Sequence, residues 1–580
     1  MSGKITRAAV AQASGMPLGT MKMVRVGSRR LVLVHTSTGF HALDNACPHE
    51  GYGLVQGALD GELLTCEWHN WKFNVADGAC VLGEENVATH EVTIDGDDVV
   101  VTVTEPGDDE VRASAFESLA RGIDSSYSGQ IARDSLRLLH AGADPIDIIW
   151  DGVQRTIGRT EYGWNHALAM TTDCITALNG MRGDDRLVPI AQAVAALAES
   201  ELRRPTRPRL APRSDATIDA AAAAQFHELI ETERADDADA LLTGALQNGL
   251  GRDNAARWLI GPLGAHHLAF GHGAIYVQKA FEMLDAVGWS RAPEVLGHVA
   301  VMLVDSTRED RLPYMRPFLR ALDDAQLDQR WSMHPNPTWA STGRAELVDV
   351  LLGSDQAAAV RAASEALDRG AGILGILDAV SLAASERMLR HDLVHEQHPD
   401  VSGYGWLDIT HSLTYANAAR WAWHTEPSAC AARLAFYTVF HVVDGGRNGV
   451  SDAPAPAPAT APAHAPASPT LIAAPMQQLS EALACGLPDE AVAAAMVEPI
   501  DQVGATLVAA SLDDRSGALI VVAHHVKVAR AAICESAATG SRLPLAAAAR
   551  FIAAPARQRF VANGVARARH LLTTGTPPPR

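Results

Sequence analysis

The sequence predicts two unlike parts in one chain: an N-terminal all-β domain followed by a large all-α domain. Three observations carry this reading. Short runs of β-branched and apolar residues, broken by Gly and Asp-Gly turns, fill the first hundred positions. The composition then shifts abruptly after Glu105-Pro106-Gly107-Asp108-Asp109 to Ala, Leu, Arg, Asp and Glu with a helical period. At 580 residues the chain is also too long for a single core, so two or three domains are expected.

Taken in order, Met21-Lys22-Met23-Val24-Arg25-Val26 and Arg30-Leu31-Val32-Leu33-Val34-His35 form strands around Gly27-Ser28. Val92-Thr93-Ile94 and Val99-Val100-Val101 flank an Asp95-Gly96 turn. The β domain is placed at residues 1–105 and the all-α domain at 112–450, opening with Phe116, Leu119, Ile123, Ile131, Leu136, Leu138 and Leu139. An Ala-Pro alternation at 451–469 favours polyproline II and reads as a semi-rigid linker. Residues 470–572 are helical again, and their thin apolar stripes fit a segment that completes the α domain better than an independent one.

Composition excludes several function classes. A net charge of −20 offers no basic patch for phosphates, so nucleic acid is not expected as a partner. Seven scattered cysteines make no disulfide framework, which predicts a reducing, cytoplasmic setting. The first 19 residues hold no apolar run of signal-peptide length, and no long uncharged apolar window follows, so neither export nor a membrane span is predicted.

The chemistry is concentrated in Cys47-Pro48-His49-Glu50-Gly51-Tyr52-Gly53-Leu54 and Cys66-Glu67-Trp68-His69-Asn70-Trp71-Lys72-Phe73, closed by Asp77-Gly78. Cys47, His49, Cys66 and His69 supply two thiolates and two imidazoles. Each pair holds one of each, whereas a zinc finger groups its Cys together and its His together. The motif resembles the Rieske ferredoxin family, and the resemblance covers about residues 1–105. It implies a [2Fe-2S] cluster with Cys47 and Cys66 on the ferric iron, and His49 and His69 on the iron that takes the electron. Tyr52 and Trp68 stand where high-potential members carry a disulfide, and no hydroxyl is expected near the cluster sulfurs. The expected potential is therefore low in the Rieske range, about −150 mV. That suits an electron donor to an oxygenase.

Fourteen of the 23 histidines fall between positions 140 and 441, several in apolar helical text, as at His166, His298 and His441. A buried imidazole needs partners or a metal. Candidates for a second, non-haem iron are His166, His267, His272, Asp408 and His411. Asp408 and His411 are spaced i, i+3 on one helical face, as in carboxylate-bridged iron sites. His267 and His272 flank Gly271, a break able to turn both inward, and His524-His525 offers a late ligand. Taken singly, each pair reads more simply as satisfied core histidine. The stripe His391, His395, His398 reads as solvated.

Ring-hydroxylating oxygenase large subunits place an Asp three residues before the first of two such histidines. Gly264 occupies that position here, and their catalytic domain is rich in β-structure. The helical part is instead faintly similar, around His166 and Val526-Lys527, to questin oxidase-like proteins, a group tied to oxygen insertion into aromatic ketides. No residue role is carried over from them, and the catalytic residues stay unassigned. The expected function is an oxidoreductase in which an external reductase or ferredoxin reductase feeds the cluster, and the cluster feeds a helical oxygenase-like domain acting on an unidentified small molecule. The alternative is a non-catalytic electron-transfer or redox-sensing protein with a helical docking scaffold. A metal-dependent hydrolase is weaker, since no nucleophile motif or His-Glu-x-x-His spacing occurs.

Overall fold

The computed structural model describes residues 5–334, 339–397, 405–446, 478–555 and 573. The linker expected at 451–469 and His398 lie outside the described residues, as do the side chain of His395 and the start and end of the segment 470–572. Strands come first and helices follow from Asp108 onward, as the change in composition predicts. The chain divides into two compact units, residues 1–155 with 182–203, and residues 156–181 with 204–580.

In the first unit, ten strands form two antiparallel sheets. They are β1 (Ile5–Gln12), β2 (Thr20–Val26), β3 (Arg29–Thr36), β4 (Gly39–Asp44), β5 (Ala58–Asp60), β6 (Leu63–Thr65), β7 (Lys72–Asn74), β8 (Cys80–Leu82), β9 (Thr89–Asp95) and β10 (Asp98–Thr104). The larger sheet runs β1-β10-β9-β4-β3-β2 and the smaller β5-β6-β7-β8. The unbroken apolar run in β3 has a structural cause, because both of its faces are buried. Val32 and Val34 pack into one core with Cys47, Leu64, Cys66 and Phe73, while Leu31 and Leu33 pack into another with Val99 and Val101.

Helices α1 (Asp108–Ser125), α2 (Ser128–His140), α3 (Pro145–Thr156) and α5 (Leu187–Ser200) belong largely to the same unit, so the packing division does not coincide with the change from strand to helix. The intervening α4 (His166–Ala177) belongs to the second unit.

That second unit is helical. The helices that build its site are α4, α6 (His272–Val287), α7 (Gly372–Leu389), α8 (Trp406–Thr425), α9 (Ala429–Asp444), α10 (Ile500–Ser511), α11 (Leu519–Thr539) and α12 (Leu543–Ala553). α4, α6, α8 and α11 pack against one another, so the C-terminal segment contributes directly to this core. The register of α11 is fixed by buried Glu535. Its carboxylate accepts from Arg420 Nε at 3.0 and 3.2 Å, from Ser381 at 2.6 Å and from Asn417 at 3.0 Å. Among the described residues no helix is long and apolar enough to cross a membrane.

Candidate metal centres

The two Cys-His segments fold into matching six-residue loops. In the first, Cys47 N–H donates to Tyr52 O (2.8 Å) and Gly51 N–H to Cys47 O (2.8 Å). In the second, Cys66 N–H donates to Trp71 O (2.7 Å) and Asn70 N–H to Cys66 O (3.1 Å). The fifth residue of each loop takes a left-handed backbone, Gly51 at φ +78° and Asn70 at φ +60°. These are residue types that tolerate this region at little cost. Each loop thereby buries its Cys in the core and turns its His outward.

The four donor groups meet as a two-metal cluster would require. Cys47 and Cys66 lie side by side, and His49 Nδ1 stands 3.0 Å from His69 Nδ1. Burial, with a smaller contribution from the neighbouring Cys66 thiol, pushes the Cys47 thiol up to about 11. A thiolate there needs a cation beside it, which a [2Fe-2S] cluster would supply. All seven cysteines are free. Where a disulfide would join the loops, the Tyr52 and Trp68 rings stack at 4.2 Å instead.

A family model for the Rieske [2Fe-2S] domain matches residues 6–93. Residues 6–93 are a Rieske [2Fe-2S] domain. The stretch is 38% identical over 71 residues to human apoptosis-inducing factor 3 (12% of each chain). It is 42% identical over 62 residues to the ferredoxin component of an alkene monooxygenase system from Xanthobacter autotrophicus (10% of this chain, 50% of the relative). It is 37% identical over 70 residues to ferredoxin CarAc of Metapseudomonas resinovorans (12% and 65%). The chain thus spans less than two thirds of each of these relatives.

The Rieske domain is of the ferredoxin electron-transfer type and implies a [2Fe-2S] cluster. In this chain the rest of its unit covers one side of it. Arg133 on α2 donates to His49 O at 2.8 Å, and Trp71 stacks on the His49 ring at 4.9 Å. Buried Glu85 ties Arg133 (3.1 Å) and Arg137 to the loop. His69 and Trp68 remain exposed, leaving an open edge for electron exchange.

A second constellation sits in the helical unit. His166 opens α4, which Asn165 caps by accepting from Leu168 N–H at 3.0 Å. His272 opens α6 after a strained turn in which Ala269, Phe270 and Gly271 all have positive φ (46°, 53° and 87°). His411 lies on α8 and His524 on α11.

Tautomers are forced at three of these rings, because a carbonyl only accepts. His272 Nδ1–H donates to Ala269 O (2.6 Å), His411 Nδ1–H to Leu407 O (2.6 Å) and His524 Nδ1–H to Ile520 O (2.7 Å). Their Nε2 atoms therefore carry lone pairs. His272 Nε2 nonetheless lies 3.0 Å from His411 Nε2, and 3.0 Å from His166 Nε2 as well. Between His272 and His411 two lone pairs face each other and repel at that distance unless a cation lies between them, whereas His166 Nε2 is free to donate to His272 Nε2. His524 Nε2 is buried with no hydrogen-bond partner, and the ligand atoms of His166, His411 and His524 all lie within 4.8 Å of one another.

Burial, reinforced by neighbouring imidazoles and Lys527, holds His166, His411 and His524 well below the ordinary histidine range, and burial brings His272 down to about 3. Four neutral imidazoles with outer nitrogens anchored on backbone carbonyls, or on Tyr276 Oη (3.1 Å from His166 Nδ1), are arranged as metal ligands are. The donor set fits a first-row transition metal.

Not every sequence candidate arrives there. Asp408 lies in the first turn of α8, and its carboxylate folds back to accept from Gly405 N–H at 3.0 Å, so helix capping and not His411 determines its direction. His267 is fully buried among Tyr415, Tyr437 and His441, with ring centroids 4.7–5.7 Å away. His298 is buried, and burial lowers it to about 4. His391 is buried as well, bonded to Glu396 at 3.2 Å and packed on Trp406, so this residue of the supposedly solvated stripe is core. Tyr276 carried no sequence signal, and Lys527 only the faint likeness around Val526-Lys527. Lys527 Nζ is buried without a partner, and burial lowers it to about 7.

Proposed function

We propose that this chain is an oxidoreductase in which the Rieske domain supplies electrons to a metal held by His166, His272, His411 and His524 in the helical unit. Cys47, His49, Cys66 and His69 hold the [2Fe-2S] cluster in this reading. The observation that carries it is the meeting of the His272 and His411 Nε2 lone pairs at 3.0 Å, both tautomers being fixed by backbone carbonyls, with the ligand atoms of His166 and His524 gathered beside them. Bound there, non-haem iron would supply oxygen chemistry that no side chain provides. The chain's own groups hold the neutral imidazoles in place, exclude bulk water and keep positive charge nearby. The reductant would arrive at the exposed His69 edge from an external reductase, as relatives named as ferredoxin components of oxygenase systems suggest.

A docking scaffold without chemistry would leave the helical histidines dispersed, and the gathered Nε2 atoms count against it. The test is metal analysis of a Cys47→Ser/Cys66→Ser protein and of a His411→Ala/His524→Ala protein. Iron that persists in the first and falls to the cluster's share in the second supports the reading. Iron absent from the first contradicts it.

A further inference from the structure

The helical unit also holds a cavity of about 600 Å³, open to solvent on one side and within the range of small-molecule sites. Its walls are mostly apolar and come from α4, α10, α11 and α12, through residues such as Thr176, Val508, Ile533 and Leu545. The same two helices that present His166 and His524 continue into it. Asp173 follows His166 by seven residues, about 10 Å along α4, and Arg530 follows His524 by six, about 9 Å along α11. On α11 the lining positions Val526, Arg530 and Ile533 lie on the helix face turned away from His524, so the cavity and the histidine layer occupy different sides of that helix.

The polar groups in this wall are unevenly satisfied. Asp173 Oδ1 is ion-paired with Lys279 Nζ at 2.7 Å, and Lys279 also holds Glu282 at 2.8 Å. Asp173 Oδ2 accepts nothing. Arg530 has neither an ion pair nor a hydrogen bond among the described residues, and its Nε is buried without an acceptor. The only other carboxylate lining the cavity, Asp501, is exposed. Arg530 lies near enough to Asp173 to feel its charge, but no acceptor meets the buried Nε, so its fork is free to take an anion.

We propose that this cavity binds an apolar ring-sized molecule bearing a carboxylate for Arg530 and a hydroxyl that donates to Asp173 Oδ2. The pairing matches the planar fork of arginine to a carboxylate and fills the unused acceptor with a donor. This binding does not depend on the proposed function.

The test compares 3-hydroxy-2-naphthoate with 2-naphthol, which keeps the rings and hydroxyl but lacks the carboxylate, by calorimetric titration of the full-length protein after chelator treatment. The naphthoate is expected to bind at least tenfold more tightly than 2-naphthol. Arg530→Met removes that preference and leaves 2-naphthol unchanged. Ala505→Trp, which fills the cavity from α10, weakens both ligands at least tenfold. Equal binding of the two ligands, or a preference that survives Arg530→Met, overturns the carboxylate assignment. Binding untouched by Ala505→Trp overturns the cavity. Failure of the proposed function reads differently, as unchanged ligand binding in a protein whose helical unit retains no iron.

Discussion

Replacing Lys527 by Met should make the metal-free protein more stable. The side chain is buried beside four imidazoles with no partner for Nζ, and burial brings its pKa from 10.5 to about 7. The folded-state value lies below the unfolded one, so between about pH 7 and pH 10.5 the unfolded chain holds a proton that the folded chain has lost. Stability therefore rises with pH across that window. Below pH 7 both states are protonated and the full cost of a buried cation applies, about 5 kcal/mol from that difference at about 1.36 kcal/mol per pH unit. At pH 9.5 about 1 to 2 kcal/mol of it is left. Met fills nearly the same volume without charge. Urea unfolding of chelator-treated wild type and Lys527→Met at pH 6 and pH 9.5 should show the variant ahead at both, by a margin at least halved at the higher pH. A variant less stable at pH 6, or a margin that ignores pH, would refute the reasoning, because either means that Nζ is compensated by an ion pair.

Further outcomes follow from the loops and caps. Gly271→Ala forces a Cβ to within 2.7 Å of Tyr415 and 2.8 Å of His441 at φ +87°, and should cost about 3 kcal/mol by thermal unfolding while loosening metal retention in the helical unit. Asn70→Gly should be neutral within about 0.5 kcal/mol, whereas Asn70→Val should cost about 1–2 kcal/mol at the same left-handed position and broaden the reduced-cluster spectrum. Glu85→Gln leaves Arg133 without a carboxylate and Arg137 with Asp134 alone (2.6 Å), and should destabilise the first unit by about 1–3 kcal/mol in urea, with the cluster's absorption retained.

The two metal centres differ in how far the sequence reveals them, and the difference is one of range. Cys47 to Tyr52 and Cys66 to Trp71 each close within six residues, so ligand, turn and apolar neighbour all appear in a short string. The strands of the β domain and the onset of helix after residue 107 were legible for the same reason, since period and turn chemistry act locally. His166, His272 and His411 are separated by 106 and 139 residues, and only tertiary packing assembles them with His524. The local spacing of Asp408 and His411 pointed to a shared site because the sequence does not show that Asp408 falls in a first helical turn, where its carboxylate is drawn to the backbone. The burial of Lys527 was not legible, since a lysine in a helical string looks solvated until its neighbours are known.

The most direct measurement is iron per chain in the Cys47→Ser/Cys66→Ser protein, taken together with the electron paramagnetic resonance of the dithionite-reduced wild type. The account predicts the signal of a mixed-ligand [2Fe-2S] centre in the wild type, and about one iron per chain left in the variant, lost again when His411 and His524 are also replaced. A variant free of iron, or a wild type whose iron is accounted for entirely by the cluster, would contradict it.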